Sequence, residues 1–135
     1  MLSSSSALRA AIHRALLQDS ALLAVLGGPR IYDEPPRELT FPYVTLGEAR
    51  LTDLSVDGGR IEEHQLTLHA WSRHGGHKEA HSIAAALLSA LDDAPLPLTG
   101  HRLVNLRFAI ADIRRDSSRA YHAVVRFRAV TEPAD

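Results

Sequence analysis

Histidine is the residue type best equipped for chemistry in this chain: eight occur among 135 residues, alongside no cysteine at all. His69, His74, His77 and His81 fall close together. His77 and His81 stand four apart, a spacing that places two imidazoles on one helix face within reach of a shared metal ion, with His69 as the candidate third ligand. The HExxH pattern is missing, so no glutamate base accompanies the pair. Both rings also flank an apolar stripe, where an amphipathic ring packs comfortably. The leading reading therefore gives these histidines packing or surface roles, with no metal and no cofactor. A small His-based metal-binding protein is the distant alternative.

Other catalytic arrangements fare worse. Serine, histidine and aspartate all occur, but no GxSxG elbow presents a nucleophile. Glu62 and Glu63 are adjacent in a strand pattern and so point to opposite faces, a poor acid–base dyad. Asp92 and Asp93 sit beside proline at a helix end. The Gly27-Gly28 and Gly58-Gly59 pairs lack the context of a phosphate loop. Without cysteine there is no thiolate nucleophile, disulfide or Cys-based zinc site. The sequence reads as a non-enzyme.

Arginine is the second residue type of interest. Fourteen arginines accompany a single lysine, Lys78, yet the net charge is −1 with histidine neutral. That balance predicts no strong affinity for nucleic acid or an anionic membrane. The Arg-for-Lys bias matches a GC-rich genome, and arginine is also the better residue for interface ion pairs. Arg107, Arg126 and Arg128 fall on strand patterns in phase with Glu63, Thr67, His69 and Trp71. Two readings stand: a solvated face with cross-strand ion pairs, or a subunit contact in which Arg and Trp are favoured anchors.

These side chains must be positioned by a small set of elements. Residues 4–18 read as a helix with Leu8, Ile12, Ala15 and Leu16 on one face. Its Ser-rich, Arg-bearing start could pass for a mitochondrial transit peptide, but a serine N-cap before an amphipathic helix is the expectation. Ser20 is the expected cap of a short turn, ALLAVL, ended by Gly27-Gly28-Pro29. Residues 27–42 form a connector with four prolines, expected to be ordered by packing and anchored by Tyr32 and Phe41. Strands are expected over 43–51 and 61–73, joined through Asp57-Gly58-Gly59. Gly75-Gly76 then leads into a helix over 77–91 with Ala80, Ile83, Ala84, Leu87, Leu88 and Leu91 as its apolar stripe. Two more strands follow over 102–115 and 120–130. Val104, Leu106, Phe108 and Ile110 are expected on one face of the first. A DSSR turn joins the two, and residues 130–135 are expected to be a frayed tail.

The expected architecture is a single α+β domain over residues 1–135, in helix–hairpin–helix–hairpin order (αββαββ). It has a mostly antiparallel four-stranded sheet with helices packed on one face. No apolar run approaches the roughly 20 residues of a membrane helix.

Several local patterns, in order, carry a resemblance. LRAAIHRALLQDSALLAVLGG-PRIYDEPP, FPYVTLGEA, LTLHAWSRHGGHKEAHSIAAALLSAL and the closing RFRAV together resemble the tail completion (tail terminator) proteins of long-tailed bacteriophages and gene transfer agents. The likeness runs from about residue 7 to residue 130. It implies a non-catalytic virion protein, one subunit of a hexameric ring at the head-proximal end of the tail. That ring stops tail-tube polymerisation and meets the head-side connector. Implied partners are its own copies, the tail tube protein and a head-side stopper or adaptor, with DNA passing through the lumen unbound and no membrane. Assembly in the bacterial cytoplasm follows. A stopper or another minor tail ring protein is the alternative within the same architecture. The candidate subunit or tube contacts are Arg30, Tyr32, Asp57, Trp71, Arg126 and Arg128, from the 27–42 connector, the 51–60 hairpin tip and the arginine-bearing sheet face.

Overall fold

Three helices lie on one side of a five-stranded sheet in the computed structural model, which describes residues 3–73, 77–116 and 119–134. In chain order the elements are α1 (Ser4–Leu17), α2 (Ser20–Leu26), β1 (Ile31–Tyr32), β2 (Tyr43–Asp53), β3 (Glu62–Ser72), α3 (His77–Leu91), β4 (His101–Arg115) and β5 (Tyr121–Pro133). The strand order is β1-β2-β3-β5-β4, antiparallel except for the parallel β1–β2 pair. This is the expected α+β class, with one short helix (α2) and one strand (β1) more than the expected αββαββ order.

Local chemistry accounts for the helices. The Ser3 hydroxyl accepts from the Ser6 amide at 3.1 Å and starts α1. Asp19, rather than Ser20, caps α2: its carboxylate accepts from the Leu22 amide at 2.9 Å. Gly27, at φ 77°, ends α2 in the left-handed region that glycine enters without a steric penalty. Ala7, Leu8, Ala11, Ile12 and Leu16 of α1 and Ala80, Ile83, Ala84, Leu87 and Leu91 of α3 are buried at helical spacing. Leu8, Ile12 and Leu16 of α1 and Ile83, Ala84, Leu87 and Leu91 of α3 join Leu66, Leu68 and Ala70 of β3 and Val125, Phe127 and Ala129 of β5 in one continuous core. Each large side chain fully buried there contributes about 1.5–3 kcal/mol over leaving it exposed.

Four local expectations are corrected. The 27–42 connector is not purely irregular. Ile31 and Tyr32 pair with Val44 and Thr45, and buried Ile31, not half-buried Tyr32, is the anchor. The tail is not frayed at its start, because β5 runs on to Pro133 and Thr131 is fully buried between Glu62 and Leu103. The apolar row of β4 is broken by irregularities at Leu103/Asn105 and Phe108/Ile110. An extra residue reverses the side-chain alternation, so Leu106 is buried while Val104 and Ile110 are exposed. Leu88 is only partly buried in the α3 stripe. The expected Gly75-Gly76 break and the two serines of the DSSR turn lie outside the described residues.

Candidate functional site

With all three helices on one side, the sheet leaves its other face open. Register places Trp71 beside His122, Thr67 beside Arg126, and Gln65 beside Arg128. On β4, Arg114, Ile110 and Arg107 continue these rows from His122, Arg126 and Arg128. Tyr43 and Thr45 of β2 extend the rows of Trp71 and His69 in the other direction. The arginines, Trp71, His69 and Glu63 thus share one surface, as the strand phases predicted.

A ladder of rings crosses this face. Tyr43 stacks on Trp71 (centroids 6.3 Å apart), Trp71 on His122 (3.7 Å, planes 8° apart) and His122 on His69 (4.9 Å). The imidazoles are also hydrogen-bonded, His69 Nδ1 to His122 Nε2 at 2.7 Å. The Glu48 carboxylate accepts from His69 Nε2 at 2.9 Å. An Nε2–H given to Glu48 leaves the ring's Nδ1 available as the acceptor for His122. The hydrogen bond from His69 holds Glu48 below the usual carboxylate range. Burial, reinforced by His69 and Arg114, pushes His122 below the usual histidine value. At the end of the ladder Phe41 meets Tyr43 edge-on at 5.1 Å, and the Arg73 guanidinium lies 4.1 Å above the Phe41 ring.

The backbone is shaped to admit this ladder. The β2–β3 register slips between Leu46 and Ala49, and this bulge turns Glu48 toward His69. A Cβ at Gly47 would lie 2.6 Å from the His69 ring and 3.1 Å from the Thr67 carbonyl oxygen. Only glycine lets the imidazole rest on the strand.

The arginines sit in cross-strand pairs. Arg128 meets Glu63 at 2.6 Å and Arg126 meets Asp112 at 3.9 Å, while Arg107 reaches Asp92 at 3.5 Å. Arg107 and Arg128 are direct neighbours across β4 and β5, so each like charge turns to its own carboxylate. Arg30 faces inward, its Nε donating to the Pro42 carbonyl at 2.9 Å and another guanidinium nitrogen to the Leu26 carbonyl. Tyr32 is half-buried on β1, and Asp57 is exposed at the hairpin tip. The structure brings Trp71, Arg126 and Arg128 onto one surface and leaves Arg30, Tyr32 and Asp57 at separate places. Leu51 (47% exposed), Leu54 (41%) and Val56 (67%) make the hairpin arm conspicuously apolar for an exposed segment.

The metal alternative is not assembled. His77 and His81 lie on α3, with His77 edge-on to Tyr121 at 4.5 Å, whereas His69 faces away on the far side of the sheet. His74 lies outside the described residues, among which no group of three metal-ligating side chains forms. Sequence reading overlooked His122, Glu48 and Gly47. The phase of Arg126 and Arg128 already placed His122 on their face; the bulge that delivers Glu48 has no signal in residue types.

The chain is similar to known proteins over most of its length. The profile of the family described as tail completion protein gp17 matches residues 10–132. A chain in the virion of a native gene transfer agent particle is 33% identical, with a TM-score of 0.89 over 98% of this chain and 99% of that one. The gp17 protein of bacteriophage SPP1 shares the fold at 22% identity, with a TM-score of 0.66 over 98% and 91%. No curated protein matches the chain.

Proposed function

Because this chain belongs to the tail completion protein gp17 family, a family of structural virion tail proteins and not of enzymes, we propose that it acts as a tail terminator. In this reading six copies form a ring at the head-proximal end of the tail, having assembled in the bacterial cytoplasm. The ring stops the tail tube from growing and offers its other side to a head-side stopper or adaptor protein. DNA passes through the lumen without specific contact. The observation that carries the reading is near end-to-end coverage, in both directions, of a 33% identical chain built into a gene transfer agent virion.

The open sheet face supports it physically. A fold that covers one face with helices and leaves the other lined with Trp71, Arg126 and Arg128 has kept a surface for neighbours. We assign the subunit and tube contacts to that face, to Tyr32 at the sheet edge, and to the hairpin arm around Asp57. Arg30 contributes by holding the connector to the end of α2 through its two carbonyl contacts. Near-neutral net charge suits a ring that DNA must cross without sticking.

The test is polymerisation of the cognate tail tube protein in the presence of this chain. Addition in small proportion to the tube protein should shorten the tubes and leave a ring of density at one end. The double variant Arg126→Glu with Arg128→Glu should cap less well. Tubes of unchanged length with the parent chain would refute the terminator role.

A further inference from the structure

The strands finish differently at their two ends. At one end β2 and β3 run on past the Asp53–Glu62 pair into the arm 54–61, which no further strand flanks among the described residues. The arm is tied to itself. The Leu54 amide donates to the Ile61 carbonyl at 2.8 Å and the Ile61 amide to the Ser55 hydroxyl at 3.1 Å, while Val56 and Gly59 exchange hydrogen bonds at 3.1 and 2.9 Å. A segment already ordered in this way loses little freedom on docking. It nonetheless holds Leu54 and Val56 in water beside exposed Leu51, and grouped apolar surface of this kind marks a contact. Asp53 has Arg60 and the Ser55 amide beside it. Asp57, exposed at the tip, is in no ion pair among the described residues.

At the other end β3 and β4 stop and β2 and β5 begin. One row there is Tyr43, Trp71, His122 and Arg114, and the next is Ser72, Tyr121 and Arg115. Arg114, Arg115 and Arg119 are exposed without an ion pair among the described residues, with Asp116 as the neighbouring carboxylate. The Trp71 and His122 rings, stacked on each other, lie in the same row as Arg114. This end is cationic and aromatic, whereas the arm is apolar and tipped by a carboxylate. The two surfaces complement each other but cannot meet within one chain, because the 11 residues of β3 hold them about 33 Å apart. An arm that points away from its own domain along the strands meets the far end of a copy displaced in that direction. Such a contact joins two different surfaces, so it repeats head to tail and closes a ring when the rotation allows.

We propose that the arm of one copy docks on the far end of the next copy's sheet, with Leu54 and Val56 against the Trp71 and His122 rings and Asp57 toward Arg114 and Arg115. This contact is the repeating joint of the ring. The proposal rests on the ring reading above and adds which surfaces meet. Apolar contact with an aromatic anchor supplies the affinity. The charges add little affinity of their own, but they select the orientation and reject arm-to-arm pairing.

The chain has no cysteine, so introduced thiols report without background. Asp57→Cys and Arg115→Cys in one chain lie too far apart for a short bis-maleimide to link them within that chain. Treated in assembled particles, this variant should give a ladder of linked copies up to the hexamer, and each single variant should give none. Dimers from Asp57→Cys alone would reveal a symmetric arm-to-arm contact and overturn the proposal. Absence of a ladder in particles with parental tail length would overturn it too, while leaving the terminator reading intact. Charge exchange decides independently of the thiols, read as copies of this chain per particle by quantitative mass spectrometry. Asp57→Arg or Arg115→Asp alone should lower that number by about threefold or more, and the two together should restore it. Failure of the double exchange to recover, or indifference to both single reversals, refutes the joint.

Discussion

On β5, Val125 and Phe127 point into the helices and are almost wholly buried, while Arg126 and Arg128, one residue away, stand half-exposed on the other side. The contrast repeats on β3, where Leu66, Leu68 and Ala70 alternate with Gln65, Thr67, His69 and Trp71. The covered face is closed and mainly apolar, with His64 and Thr131 bonded to each other within it. The open face is organised as well, but by ring stacking, an imidazole pair and cross-strand ion pairs. If the open face carries the subunit contacts proposed for it, stability and recognition reside on opposite sides of the same strands, and substitutions should separate them.

The largest effect belongs to the covered face. Phe127→Ala should lower the free energy of unfolding by about 3–5 kcal/mol, measured by denaturant titration. A loss below about 1 kcal/mol would break the contrast. Gly47→Ala comes next. The new methyl would meet the His69 ring and the Thr67 carbonyl oxygen, and a forced fit of this kind costs about 1–3 kcal/mol. Imidazole NMR signals of His69 and His122 should shift while resonances of the α3 stripe stay in place.

Acid should reveal a further, smaller cost that spans both faces. His64 is buried with its Nε2 2.9 Å from the Thr131 hydroxyl, and burial pushes its pKa below the ordinary 6.5. His122 is shifted the same way on the open face. The unfolded chain therefore takes up these protons more readily than the folded one. The stability they protect is complete above about pH 6.5 and is lost as pH falls through the lower folded values. Denaturation midpoints across that range should fall with acid, less steeply in His64→Gln. A rise on acidification would contradict the assignment. The smallest stability change is expected at Arg128→Gln, which removes an exposed pair worth under about 1 kcal/mol. Ring assembly, followed by native mass spectrometry or in particles, should weaken nonetheless.

Much of this contrast is legible in the residues. Period-two alternation in β3 and β5 places Leu68 and Phe127 on one face and Trp71 and Arg126 on the other, and helical spacing gives the stripes of α1 and α3. What escapes is whatever departs from strict period. One extra residue at each β4 irregularity turns Val104 and Ile110 outward, and the bulge at Gly47-Glu48 supplies the carboxylate for His69. The polar TEP segment looks like a tail, yet the Thr131 hydroxyl has a buried partner in His64 and the strand continues. A two-residue parallel strand such as β1 has no periodicity to read. The proposed ring and its proposed partners rest on family likeness, because no composition or spacing distinguishes a ring subunit from any other small α+β domain.

The most direct test of the terminator role is tail length, by electron microscopy, in particles made without this chain. The account predicts tubes of uncontrolled, often excessive length, with no heads attached. Tails of parental length, whether joined to heads or not, would contradict it.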